Sequence, residues 1–251
     1  IADNKSGMSA VSGYVANEFT AFTKAEANAE VYVNGTVDAK RDAVIEAVAV
    51  NGELSEIDEN FHEYGETRNL EKYSSTKFVS KITSKVEFGS SANIDANRNL
   101  IVNAIARNFY SPSSVNLLDL GLDVLGMTSP INLGAEVAVE SSKAEVIVDT
   151  GATLYASEDV KITADSETDV SVGASTALAK IRKTGGGLSV GAVYADVNSE
   201  ANISIDGSVT AGESGVTDKG NIEITALSKN NLELTGATKT ANDNAFIAFA
   251  T

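Results

Sequence analysis

Leu154-Tyr-Ala-Ser-Glu-Asp-Val-Lys-Ile-Thr-Ala164 decides the fold, because the chain carries this stretch in four versions. Two relatives are Ile94-Asp-Ala-Asn-Arg-Asn-Leu-Ile-Val-Asn-Ala104 and Val37-Asp-Ala-Lys-Arg-Asp-Ala-Val-Ile-Glu-Ala47. The fourth opens as Val209-Thr-Ala211, is interrupted from Gly212 to Gly220, and resumes as Asn221-Ile-Glu-Ile-Thr-Ala226. Counted from the first aliphatic residue of each version, the steps are 57, 60 and 55 residues. Self-similarity at a fixed period of tens of residues marks a solenoid, in which a unit buries its apolar face only against its neighbours.

Ahead of each version lies a second recurring stretch: Ala29-Glu-Val-Tyr-Val33, Ser84-Lys-Val-Glu-Phe88, Ala144-Glu-Val-Ile-Val148 and Ala201-Asn-Ile-Ser-Ile205. Apolar and polar residues alternate here, which places Val146 and Val148 on one face and matches short half-buried strands rather than helices. Between the strands sit Asn34-Gly35, Asp149-Thr-Gly151 and Asp206-Gly207, residues suited to tight turns. Small residues recur at two further places, Ala39, Ala96, Ala156 and Ala211, then Ala47, Ala104, Ala164 and Ala226, where a coiling chain turns a narrow corner. The expected fold is all-β, a right-handed parallel β-helix with loop or short-helix excursions. Dividing each unit into three coils of roughly 19 residues predicts about eleven to thirteen coils and a rod about 55 Å long.

Residues 1–251 read as a single β-helical repeat segment, an excerpt of a longer solenoid without a polar cap at either end. Ser12-Gly-Tyr-Val-Ala-Asn and the terminal Ala245-Phe-Ile-Ala-Phe-Ala250 both resemble Ser189-Val-Gly-Ala-Val-Tyr-Ala195. The repeat is broken by excursions near 51–80, 108–130 and 166–187, the places where solenoids vary their binding surfaces. Ser55 onward in the first excursion, and Val115, Leu118, Leu122 and Leu125 in the second, have the spacing of short helices.

With 35 acidic against 19 basic side chains the net charge is -16, which repels phosphate backbones and anionic headgroups. Nucleic acid and membrane insertion are therefore set aside, and the longest apolar stretches, such as Ala43 to Val50, fall far short of the roughly 20 residues of a spanning helix. The absence of cysteine removes disulfides, thiolate metal sites and a cysteine nucleophile.

Few residues invite a chemical reading. His62 stands among Asp58, Glu59 and Glu63, but catalysis and metal binding need converging partners, and a solvated histidine on a charged loop fits better. Asp42, Asn99, Asp159 and Asn221 recur at one place in all four units; a catalytic residue occurs once, whereas a turn residue recurs. Gly185-Gly-Gly187 is followed by a strand pattern rather than a phosphate-binding helix, and no calcium loop is present. No catalytic, cofactor-binding or metal residue is assigned. Candidate partner-binding residues are Phe61, His62, Tyr64, Arg68 and Tyr73, in the aromatic-rich first excursion.

The stretches Gly187-Leu-Ser-Val-Gly-Ala-Val-Tyr-Ala-Asp-Val-Asn-Ser-Glu-Ala-Asn-Ile-Ser-Ile-Asp-Gly207 and Gly151 to Ala164 resemble the repeats of large bacterial filamentous adhesins of the leukotoxin and filamentous haemagglutinin type. The resemblance covers most of Ser12 to Thr251 outside the excursions. It implies type V secretion, display outside the cell or on the bacterial outer-membrane surface, and a non-catalytic structural and adhesive role toward a host-cell surface protein or glycan. It carries over no toxicity residue. End-to-end self-association through unpaired strand edges is a further expected contact. The competing readings are a carbohydrate-active β-helix, lyase or hydrolase, and a pure spacer without binding activity.

Overall fold

The computed structural model describes residues 6–13, 23–51, 77–110, 131–176, 188–212, 220–238 and 244–250. Every element among them is a strand, and every pairing is parallel. After β1 (Ser6–Gly13) the chain makes four rungs of three strands each. The first holds β2 (Thr23–Val33), β3 (Thr36–Ala39) and β4 (Ala43–Asn51); the second holds β5 (Lys77–Phe88), β6 (Asn93–Ala96) and β7 (Leu100–Tyr110). The third holds β8 (Ile131–Val148), β9 (Thr153–Ala156) and β10 (Val160–Thr176); the fourth holds β11 (Leu188–Ile205), β12 (Ser208–Ala211) and β13 (Ile222–Thr238), and β14 (Asn244–Ala250) begins a fifth.

Corresponding strands stack into three sheets: a first long sheet β14-β11-β8-β5-β2, a short sheet β12-β9-β6-β3, and a second long sheet β1-β4-β7-β10-β13. This is a parallel β-helix. The repeat found in the sequence is the stacking repeat, since Val37 pairs with Ile94, Ile94 with Leu154, and Leu154 with Val209.

One expectation is overturned. A unit of about 57 residues is a single wide rung with three strands, not three narrow coils, because Ala43 pairs with Leu100 one whole unit away. The described chain therefore has four rungs rather than eleven to thirteen. At about 4.8 Å per strand each long sheet is only about 19 Å deep along the axis. Extent lies instead along the strands: β8 and β11 run 18 residues, about 60 Å at strand rise.

Steps between rungs differ because the turns differ. Asn34-Gly35 and Asp206-Gly207 join the first long sheet to the short sheet in rungs one and four, whereas 89–92 and 149–152 do so in rungs two and three. In the longer form Gly151 adopts φ 96°, and a Cβ there would lie 2.8 Å from the Ser90 carbonyl oxygen, so only glycine fits beneath the preceding rung. The Asp149 N–H donates to the Phe88 carbonyl at 2.9 Å and the Asp206 N–H to that of Val148 at 2.8 Å, so each turn is hydrogen-bonded to the rung below.

Alternation puts one face of every strand inside. Ala39, Ala96 and Ala156 form one inward column at the end of the short sheet, and Ala47, Ala104 and Ala164 form another within the second long sheet rather than at a corner as expected, each fully buried. Phe88, Ile82, Ile94, Leu100, Leu154 and Ile162 fill the space between, each contributing about 1.5–3 kcal/mol on burial. The inner columns of the first rung are covered, with Ala27 and Ala29 at 1% exposure, while those of the fourth are open, with Ile222 at 46% and Ile224 at 51%.

Strand boundaries also correct the excursions. Asn51, 77–80, 108–110 and 166–176 are strand, so the connecting segments are 52–76, 111–130 and 177–187. The two helices expected near Ser55 and Val115 lie outside the described residues. Ala245–Ala250 does stack on Val190–Ala195 as the sequence suggests, but Ser12 and Gly13 end β1 in the second long sheet and are not their equivalents.

Candidate interaction surface

Segments 14–22, 52–76, 111–130, 177–187 and 239–243 all join the second long sheet to the first. All five leave on the side of the rung away from the short sheet, at two depths: β1, β4 and β7 end level with Glu167, Thr168 and Val170 of β10, whereas β10 and β13 run on to Thr176 and Thr238. Phe61, His62, Tyr64, Arg68 and Tyr73 all belong to the segment between β4 and β5, and lie outside the described residues. Gly185-Gly-Gly187 lies in another such segment, also outside them.

The four recurring acid and amide residues form a column at the turn between the short and second long sheets. Asn99 Nδ2 donates to Asp42 Oδ1 at 2.9 Å, the Asp159 N–H donates to Asn99 Oδ1 at 3.2 Å, and the Asn221 N–H donates to Asp159 Oδ1 at 2.9 Å. Asp42, Asn99 and Asp159 each accept the backbone N–H of the counterpart one rung on, which is a turn-stapling role and explains the recurrence. Aspartate and asparagine alternate, so no two carboxylates are stacked directly.

Charges on the outer faces are neutralised in the same way, across rungs. Arg107 is 13% exposed and donates to both oxygens of Asp165, with Glu167 at 3.6 Å; Lys229 of the next rung pairs with Glu167. Lys161 pairs with Glu223 at 3.4 Å and Lys143 with Glu200 at 3.7 Å. On the first long sheet the Glu87 carboxylate bonds to Lys85 and raises its pKa, reinforced by the charges of Glu87, Glu30 and Glu145 and opposed by partial burial. Among the described residues no group of three potential ligands could hold a metal ion, and no helix is long and apolar enough to cross a membrane. These carboxylates face basic partners rather than a shared cleft.

The interior holds a feature the sequence reading missed. Asn51 Nδ2 donates to Asn108 Oδ1 at 2.9 Å, and Ser80 Oγ donates to the same oxygen at 2.8 Å, all three residues being buried. In the next rungs Ser142 Oγ lies 2.7 Å from both Ser166 Oγ and Thr168 Oγ1, and Ser199 Oγ donates to Ser166 Oγ at 2.9 Å. Glu140 stacks on Ser80, is 1% exposed, and has no hydrogen-bond partner for either carboxyl oxygen. Burial drives its pKa well above the ordinary range, and the Asn108 amide, which approaches without closing a normal hydrogen bond, only partly opposes this. The signal was present as polar residues at inward positions of the alternation: Asn51, Asn108 and Thr168 fall in one column.

Comparison of the chain with protein-family models, with curated proteins and with solved structures returned no match.

Proposed function

We propose that this chain is a non-catalytic structural and adhesive segment of a bacterial filamentous surface protein, exported by a type V route, whose shaft carries contact segments toward a host-cell protein or glycan. The observation that carries the reading is that segments 14–22, 52–76, 111–130, 177–187 and 239–243 all leave a regular stack on one side, away from the short sheet. A solenoid tolerates insertion at a corner without disturbing the columns, so length and chemistry vary there while the shaft is unchanged. The cross-rung pairing of Arg107, Asp165, Glu167 and Lys229 supports a shaft role, since those charges stabilise stacking rather than converge on a substrate. The resemblance of Gly187 to Gly207 to filamentous adhesin repeats supports the cellular setting.

Saturable binding of labelled, monodisperse protein to epithelial cells and leukocytes tests the reading, run beside a variant in which 52–76 is replaced by a short glycine-serine linker. Saturation lost with the segment assigns adhesion to Phe61, His62, Tyr64, Arg68, Tyr73 and their neighbours. Absence of saturable binding by the intact chain overturns the adhesive part and leaves a spacer. Release of reducing ends from acidic or neutral glycans overturns the non-catalytic part.

A further inference from the structure

Rungs three and four each reach past the larger core into a second, smaller one, and the boundary between the two is polar. The larger core surrounds Leu100, Leu154 and Ile162 beside the short sheet; the smaller holds Ala138, Val170, Val172, Val193 and Ala195 on the side where the segments depart. Between them run Ser142, Ser166, Thr168 and Ser199, joined hydroxyl to hydroxyl. Water can replace such contacts at little net cost, whereas it cannot replace the aliphatic packing on either side. Glu140 stands at the edge of this seam, one inward position beyond Ser142 on β8, buried with both oxygens unpartnered. A buried carboxyl group without partners gains more from hydration than any neighbour does.

We infer that the outer half of rungs three and four is a separately opening wing, hinged on the hydroxyl seam and admitting water to Glu140 when it opens. The wing comprises the halves of β8, β10, β11 and β13 away from the short sheet, with β14 paired to 189–195 of β11. Segments 111–130, 177–187 and 239–243 are attached to these strands, so opening changes how they are presented. The seam between the two cores is held by hydroxyl contacts that water can replace, and local opening begins where contacts are cheapest to exchange for water.

Opening depends on pH through Glu140. No charged group among the described side chains faces it from the strands packed around it: β5 presents Ser80, β7 Asn108, β10 Ser166 and Thr168, and β11 the partly buried Val197. The charged residues Lys81, Arg107, Asp165, Glu167, Asp196 and Glu200 occupy the opposite, outward parity on those strands. In the closed wing the carboxyl group is held neutral by burial, and in the open wing it returns to an ordinary carboxylate. The open population therefore rises with pH, by up to about tenfold per unit, between the ordinary and the raised pKa, and levels off above the latter.

The absence of cysteine makes the test direct. Val172→Cys reports the wing and Ile162→Cys the main core, each made singly in the whole chain. Each reacts with dithiodipyridine from about pH 5 to about pH 8, and rates are divided by those of a free thiol peptide to remove thiol ionisation. The expected result is labelling of Val172→Cys at least about tenfold faster than Ile162→Cys, with a residual rise with pH that Glu140→Gln abolishes. Glu145→Gln, at an outward position of the same strand, leaves the rise in place. Equal rates at the two sites overturn the wing, and a rise that survives Glu140→Gln overturns the role of Glu140. Hydrogen exchange of the unsubstituted chain reads the same contrast without a mutation: amides of 168–176 exchange faster than those of 160–166, and equal protection also overturns the wing.

Discussion

Asn99 reaches down one rung to donate its side-chain amide to Asp42 at 2.9 Å, and accepts at its Oδ1 the backbone N–H of Asp159 from the rung above, at 3.2 Å. One amide side chain thus staples three rungs at the turn between the short and second long sheets. Only a group with both a donor and an acceptor can do this, whereas aspartate in the ionised form accepts alone. The alternation Asp42, Asn99, Asp159, Asn221 is therefore a stacking code, and its disturbance has a calculable consequence.

Asn99→Asp is expected to place three carboxylates in one column at about 4.8 Å intervals and to remove the donor to Asp42. The loss is about 1–3 kcal/mol at neutral pH, and much of it returns on acidification as the middle carboxyl regains a proton. Urea denaturation at pH 7 and pH 4 measures both; equal destabilisation at the two pH values would show that the column does not work through charge.

Glu140→Gln is expected to stabilise the chain at pH 8 and to leave it little changed near pH 4. The folded chain holds the Glu140 proton more tightly than the unfolded chain, because burial raises the folded pKa above the ordinary 4.5. Between those two values the folded state binds more protons, so stability falls as pH rises and becomes flat above the folded pKa. Thermal melts of both proteins across this range should converge at acid pH and separate with rising pH; parallel curves would contradict the burial of an uncompensated carboxyl group.

Core columns should respond to volume in opposite ways. Leu100→Ala removes a fully buried side chain from the centre of the stack and should cost about 2–5 kcal/mol. Ala104→Leu, fully buried between Ala47 and Ala164, should cost about 1–3 kcal/mol by forcing the long sheets apart. Chemical denaturation midpoints read both, and a neutral Ala104→Leu would mean that the alanine column has spare room.

Arg107→Met should cost about 1–3 kcal/mol, because it leaves Asp165 and Glu167, at 18% and 17% side-chain exposure, without their shared guanidinium. Arg107→Lys should recover only part of this, since an ammonium lacks the fork that meets both Asp165 oxygens. A double-mutant cycle with Asp165→Asn isolates the pair, and a coupling near zero would place the cost elsewhere.

The strand segments nearest the short sheet, their parity, the recurrence of the alanines and the turn role of Asp42 and its counterparts were legible in the sequence, since each depends on alternation or on aligning four copies. By contrast, 77–80, 108–110 and 166–176 read as excursion and are strand. The width of a rung was not legible either. Ala29–Val33, Val37–Ala39 and Ala43–Ala47 each read as a short strand, and the same alternation suits strands stacked on one another or strands placed side by side in one wide turn. Pairing of Ala43 with Leu100 chooses the second arrangement, and a pairing partner is a long-range fact that no local pattern contains.

The sequence by itself thus determined a parallel stack with a repeat of about 57 residues, because side-chain alternation and copy spacing are properties of the chain alone. Only the tertiary structure decided that each repeat is one rung, that five variable segments leave on one side of the stack, and that Ser142 meets Ser166 across the core. The meeting of Asn51, Ser80 and Asn108, with Glu140 stacked on Ser80, depended on it as well. Ser142 with Ser166 and Ser80 with Asn108 join strands that face each other across the rung, and the distance between them is set by turn geometry and packing rather than by separation along the chain.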